Sequence, residues 1–154
     1  MRLPNAIILL ISATKPARLA VYNESGEALE FFEIDKPLSD GLFSIMKAID
    51  IRFNIVKVLY ARGPGSFMGL KLGYIFLKTF ALARDIPFLA TDSFNLSGDR
   101  PILAHGKRRF VKKDKRIEIE IFDAPFEESL KPPNRLDITL FDDQTLPNYI
   151  LDAA

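Results

Sequence analysis

Residues 61–73, "ARGPGSFMGLKLG", restrict the fold more than any other stretch of this sequence. Four glycines and one proline lie between an apolar run and a segment with helical spacing. Glycine permits positive φ and close approach of other backbone, so such a stretch occurs where a tight turn, a bound phosphate or a second backbone requires it. The stretch predicts a strand, a tight turn and then a helix.

Two well-known phosphate loops do not match this stretch. A P-loop needs Lys directly after its second glycine, whereas Leu70 follows Gly69. A dinucleotide-binding fingerprint needs its third glycine at position 68, which is Met68. Neither nucleotide-binding motif is present.

Two interpretations of the glycines stay open. The turn can offer an anion contact beside the free N–H groups of a helix N-terminus; its residues are Gly63, Pro64, Gly65 and Ser66. Gly69 and Gly73, four residues apart on one helical face, can instead let another helix or the sheet pack closely.

Apolar periodicity predicts the elements around the turn. Short apolar runs predict strands over residues 6–12, 17–22, 28–34, 55–61 and 88–91. Helical spacing predicts helices over residues 39–50, with Ser39 as N-cap, and 69–84. The order β-β-β-α-β-α-β predicts an α/β fold, a mixed sheet with helices packed on it.

The signal weakens from Ser93 onward, and we expect residues 1–95 to form the main lobe and 96–154 a reduced second lobe of strands and loop. Residues 94–101, "FNLSGDRP", are typical of a loop. "ILAHGKRRFV" and "KRIEIEIF" predict two strands joined by a "KKDK" turn, and "DITLF" predicts another strand.

Composition excludes several kinds of chemistry. The sequence has no Cys, which excludes disulfides and thiolate sites and favours a cytoplasmic protein. Its one His, His105, cannot build a His-based metal site alone, and it ends an apolar run, so we predict no catalytic and no metal residue. A stand-alone hydrolase or protease-like enzyme using His105 is the alternative. The apolar run "AIILLI" is too short to cross a membrane.

Charge is unevenly distributed although the net charge is only +1. Residues 107–116 hold seven Lys or Arg and one Asp. Lys112, Lys113 and Lys115 are therefore candidates for tRNA phosphate contacts. The competing interpretation is an edge strand protected by its lysines, or a hairpin paired with the acidic residues that follow.

The stretch "ARGPGSFMGLKLG" resembles "GRGPGSFTGLRIG", the signature of the TsaB (YeaZ) family, in a shortened form. "ALARDIPFLATDSF" is similar to that family's "ALALDIPLVGVSSL", "ILLISAT" takes the place of its "ILAIDTS", and "LPNYIL" is similar to its closing element. The resemblance covers about residues 6–95.

This resemblance implies a ribonuclease-H-like lobe of the actin and hexokinase class. It also implies a non-catalytic partner of a TsaD homologue, working with a TsaE homologue to make threonylcarbamoyladenosine in tRNA, with tRNA contacted through the complex. No cofactor is expected on this chain alone, and ATP or ADP only at the joint surface. Whether the chain forms a homodimer without its partner stays open.

Two departures from the family matter for function. Active phosphotransferases of this fold use an Asp after the first strand, where this chain has Ser12. The second lobe is shortened to about the last sixty residues. The family's partner surface is a pair of helices, and because helix 69–84 is apolar on several sides, its excess apolar surface predicts the same role here. The candidate partner-binding residues are Phe43, Met46, Gly69, Gly73, Tyr74 and Leu77.

Overall fold

The larger sheet of this computed structural model, which describes residues 2–105, 107–122 and 130–150, has five strands in the order β3-β2-β1-β4-β5. Its strands are β1 (Asn5–Ile11), β2 (Ala17–Tyr22), β3 (Ala28–Ile34), β4 (Asn54–Ala61) and β5 (Phe88–Thr91). The first three form an antiparallel meander, and β4 runs parallel to both β1 and β5. The predicted β-β-β-α-β-α-β order is confirmed.

Two long helices, α1 (Leu38–Arg52) and α2 (Phe67–Arg84), cover one face of this sheet. The predicted cap at Ser39 is wrong: α1 begins after Pro37, and no side chain caps it. Proline presets the backbone at a helix start, so the helix begins one residue earlier. At α2 the N-cap is Ser66, whose hydroxyl accepts a hydrogen bond from the Gly69 N–H at 3.3 Å.

A second, three-stranded antiparallel sheet covers the other face. It contains β6 (Ile102–His105), β7 (Arg108–Lys113) and β8 (Arg116–Ile121). The sequence predicted two strands here, and the stretch "ILAHGKRRFV", predicted as one strand, is divided into β6 and β7.

Two further segments differ from the sequence prediction. The predicted loop after β5 contains a short helix, α3 (Phe94–Ser97). The strand predicted over residues 137–141 is instead a 3₁₀ helix, Ile138–Leu140. Its first turn is fixed locally, because the Asp137 carboxylate accepts a hydrogen bond from the Thr139 N–H at 3.1 Å.

The division into lobes 1–95 and 96–154 stays a prediction. Buried side chains from both parts share one apolar cluster, in which Leu9 and Ile11 of β1 join Phe110 of β7 and Phe141. Among the described residues, no helix combines the length and apolarity that crossing a bilayer would need.

Candidate partner-binding surface

An ion pair joins α1 and α2, which lie side by side on the sheet. Arg84 donates two hydrogen bonds to the Asp50 carboxylate, at 2.9 and 2.6 Å. The hydrogen bond from Arg84 lowers the pKa of Asp50. This contact shows which side of α1 faces α2.

The inward side of α2 packs against the end of β1. Its buried residues are Leu70, Gly73, Leu77 and Ala81. A Cβ built on Gly73 would lie 2.5 Å from the Ser12 hydroxyl, and one built on Gly69 would overlap the Ser12 carbonyl oxygen. These glycines therefore allow α2 to approach the backbone of the chain's own first strand.

The outward side of α2 is also apolar. Met68, Ile75 and Leu82 follow one another at a spacing of seven residues and are 55%, 49% and 74% exposed. At 100° per residue they project opposite the buried side. An amphipathic surface helix would carry polar residues there, so this stripe is apolar surface that the described residues do not cover.

On α1, Phe43 and Ile51 are also exposed apolar side chains, at 62% and 70% exposure. Phe43 lies seven residues before Asp50 and so shares the side of α1 that faces α2. We call five exposed apolar residues of the two helices the helix-pair surface: Phe43, Ile51, Met68, Ile75 and Leu82. Phe67 of α2 is also exposed, but its ring packs against that of Tyr149.

The structure changes the list of partner-binding candidates. Met46, Gly73 and Leu77 are buried, and Tyr74 is half-buried with its ring tilted against Phe88 of β5. Gly69 packs on Ser12, as described above, which leaves Phe43 as the one exposed member of the six. A larger residue at position 73 would disturb this chain's own packing before it met a partner.

Sequence reasoning missed the three outward residues of α2 because the helix is apolar on every side, so projection alone did not show which side faces the sheet. The seven-residue spacing of Met68, Ile75 and Leu82 was the available signal. That spacing is typical of helices that pack on other helices.

The glycine turn before α2 is covered by the last described segment of the chain. Gly63 has φ +118°, and a Cβ there would lie 2.7 Å from the Asn148 carbonyl oxygen. Gly63 and Pro64 are buried, and Gly65 packs on Ala13. The Ser66 hydroxyl is already used as the helix cap. Close packing thus accounts for both glycines of the turn, and the predicted anion contact stays a prediction.

The basic hairpin is partly neutralised by acidic neighbours. Lys112 pairs with Asp99 at 3.6 Å, and Lys113 pairs with Glu118 at 3.5 Å and with Glu120. These contacts raise the pKa of Lys113, chiefly through the hydrogen bond to Glu120. Direct tRNA contact by Lys112, Lys113 and Lys115 stays a prediction.

The enzyme alternative depended on His105, which ends β6; its side chain lies outside the described part of the structure. Within that described part, no three His, Cys, Asp or Glu residues gather in a group that could hold a metal ion.

Part of the chain is similar to a known family, and its fold is similar to that of solved structures. A family model described as TsaD, tRNA N6-adenosine threonylcarbamoyltransferase, matches residues 38–104. No curated protein matches the chain. A solved structure described as YeaZ from Pseudomonas aeruginosa is 17% identical with a TM-score of 0.54, covering 79% of this chain and 67% of that one.

A second solved structure is described as an uncharacterized protein with similarity to peptidase YEAZ, from Pseudomonas aeruginosa. It is also 17% identical with a TM-score of 0.54, and the match covers 75% of this chain and 63% of that one. The chain thus spans about two thirds of the length of these neighbours. It has their ribonuclease-H-like fold, and residues 38–104 are similar to the TsaD family model.

Proposed function

We propose that the chain is a non-catalytic partner of a TsaD homologue and acts with a TsaE homologue in forming N6-threonylcarbamoyladenosine in tRNA. The observation that carries this proposal is the exposed helix-pair surface. All five of its residues lie inside the segment 38–104 that the TsaD-family model matches. In this proposal the surface binds a second pair of helices on the partner.

The chemistry of the surface fits such a partner. An apolar stripe at seven-residue spacing packs into the gaps between side chains of another helix. Lys71 and Lys78 flank the stripe, so the partner's matching rim should be acidic. Fully burying one Leu or Ile side chain contributes about 1.5–3 kcal/mol, so each exposed member can carry a measurable part of the affinity.

The test is a binding measurement between the purified chain and a TsaD homologue. Leu82→Asp should weaken binding at least tenfold, because a charge would be buried in an apolar contact without a partner. Leu146→Asp is the matched control: Leu146 is 73% exposed, against 74% for Leu82, but lies in the segment after β8. Equal affinity of both variants and the unchanged chain would contradict the proposed interface.

A cellular measurement tests the pathway itself. Cells that lack this chain should lose threonylcarbamoyladenosine from their tRNA, and the unchanged chain should restore it. Normal modification in such cells would refute the proposal, whatever the binding result.

The second candidate is a stand-alone hydrolase that uses His105. One structural neighbour is described by its similarity to a peptidase, and this description favours testing the candidate. The isolated chain should neither cleave casein nor hydrolyse ATP above background. Turnover that His105→Ala abolishes would replace the scaffold proposal with an enzyme.

Two finer predictions belong to the complex. A nucleotide should bind only where both chains are present, which calorimetry with ADP on each chain and on the mixture measures.

Direct tRNA contact is tested with Lys112→Gln, Lys113→Gln and Lys115→Gln together. Glutamine is preferred to glutamate, because a glutamate at position 113 would face Glu118 and Glu120 and disturb the hairpin. Unchanged tRNA affinity of the complex would remove the contact.

A further inference from the structure

A cleft of about 680 Å³ opens beside the start of α2. Three parts of the chain enclose it: the turn after β1, the loop between β3 and α1, and the first residues of α2. Its volume lies within the range of small-molecule sites, roughly 300–1,000 Å³. Of the five residues of the helix-pair surface, Met68 alone lines the cleft.

The cleft lies where open α/β sheets bind ligands. Ser12 and Thr14 directly follow β1, and Ser66 follows the parallel strand β4 by a few residues. Ligands of such sheets sit in the crevice outside the carboxyl ends of parallel strands, next to the helices that follow them. Position in the fold is thus one argument for a site.

The charged residues of the cleft supply the second argument. Lys15 and Lys36 are exposed, line the cleft and form no ion pair with any residue that the structure describes. Asp35 is the single acid among the lining residues. Two unpaired ammonium groups against one carboxylate give the opening a positive charge, which favours an anionic ligand.

Polar groups deeper in the cleft point the same way. Ser66 caps α2 through the Gly69 N–H, so the N–H groups of Phe67 and Met68 lack partners inside the helix. A helix N-terminus attracts negative charge. The first turn of α2 therefore offers N–H groups to an anion in the cleft.

Most of the remaining lining is apolar, which limits the ligand class further. The apolar lining residues are Pro16, Ala17, Ile34, Pro37, Leu38 and Leu72. Inorganic phosphate alone would leave these side chains uncovered. We propose that the cleft binds a small organic anion, with one phosphate or carboxylate group on an apolar or aromatic body.

This site shares only Met68 with the helix-pair surface, and it is tested on the chain alone, without a partner. The probes are phenyl phosphate and benzoate. Inorganic phosphate and phenol, the anionic and the aromatic part of phenyl phosphate, are the controls. Binding is followed by NMR titration of backbone amides. With about eleven heavy atoms at roughly 0.3 kcal/mol each, phenyl phosphate should bind with a Kd of a few millimolar. The affected amides should be those of Ser12, Lys36, Gly69 and Leu72.

If phenyl phosphate binds and benzoate does not, the cleft is a phosphate site. If benzoate binds and phenyl phosphate does not, it is a carboxylate site. Each outcome supports the proposal. Binding of inorganic phosphate as tight as phenyl phosphate would overturn it, because the apolar lining would then contribute nothing. Absence of binding by both aromatic anions, or shifts spread over surfaces away from the cleft, would also overturn it.

Matched variants separate this site from general attraction to lysines. The double variant Lys15→Gln with Lys36→Gln should weaken phenyl phosphate binding about fivefold, as expected for two partly solvated charges. The control, Lys47→Gln with Lys115→Gln, removes the same charge from residues that do not line the cleft. Circular dichroism confirms that both variants fold. Equal weakening in the two double variants would refute the site.

Discussion

Replacing Gly73 with alanine tests how closely α2 packs on the end of β1. The added Cβ would lie 2.5 Å from the Ser12 hydroxyl, 3.2 Å from Cδ2 of Leu10 and 3.5 Å from Cβ of Ser12. Such overpacking costs roughly 1–3 kcal/mol, and the higher helix propensity of alanine returns about 1 kcal/mol. We expect a net loss of up to about 2 kcal/mol in the free energy of unfolding.

The same substitution should behave differently when Ser12 is alanine. Removing the hydroxyl removes the closest clash and leaves the two contacts at 3.2 and 3.5 Å. Ser12→Ala alone should change little, because its hydroxyl has no partner among the described residues. In this background Gly73→Ala should be neutral or stabilising, so the coupling energy should be about 1–2 kcal/mol.

The assay is urea unfolding of the four proteins of this cycle, supported by thermal melting. In a chain of this size 1 kcal/mol moves the Tm by about 2–4 °C. Gly69→Ala is the control, because it would meet the Ser12 carbonyl oxygen, which Ser12→Ala leaves in place. It should destabilise the chain in both backgrounds. If Gly73→Ala costs the same with and without the Ser12 hydroxyl, the packing argument is wrong.

Three further substitutions test other contacts. Asp50→Asn should lower the free energy of unfolding by about 0.5 kcal/mol near neutral pH, since the ion pair is partly exposed. Arg84 lowers the pKa of folded Asp50 below its usual 3.8. The stability difference between the unchanged protein and the Asp50→Asn variant should therefore be present above pH 3.8 and vanish as the pH falls through the folded pKa. Urea unfolding at several pH values measures it. Arg62→Met removes the 3.1 Å ion pair with Asp142 and should speed amide hydrogen exchange in the segment after Phe141; unchanged exchange would show that Arg62 does not hold that segment. Tyr149→Ala removes a ring whose centroid lies 4.7 Å from that of Phe67 on α2. It should lower the free energy of unfolding, measured in urea, by about 1 kcal/mol, whereas Tyr149→Phe should change it very little.

The sequence was sufficient for the elements whose apolar pattern is strong. The five strands of the larger sheet and both long helices were predicted within two residues of their ends, because buried strands and amphipathic helices differ in the period of their apolar residues. Helix caps and local turns were harder to predict from the sequence. Ser39 is a good capping residue, yet Pro37 occupies the N-cap position of α1. Asp137 bends a strand-like run into a 3₁₀ turn.

The candidate site was predicted only in part, for a reason that concerns tertiary packing. The sequence indicated that α2 has more apolar surface than its own sheet can cover. It did not show that Gly73 and Leu77 face inward and Ile75 and Leu82 outward, since all four sides of the helix carry apolar residues. The inward side of α2 packs on Leu10 and Ser12 at the end of β1, about sixty positions earlier in the chain than Gly73.

The segment that covers the glycine turn also determines the order in which parts of the fold can be completed during synthesis. Tyr60 bonds the Thr145 carbonyl and Arg62 bonds Asp142, across 85 and 80 sequence positions. The ribosome makes residues 142–149 long after β4 and α2, so those elements must emerge with the carboxyl edge of their sheet still open to water. Contacts between distant parts of a sequence form late and slowly. The turn at Gly63 is therefore made early in synthesis and enclosed near its end, and the half-finished chain exposes that edge to chaperones or to other nascent chains.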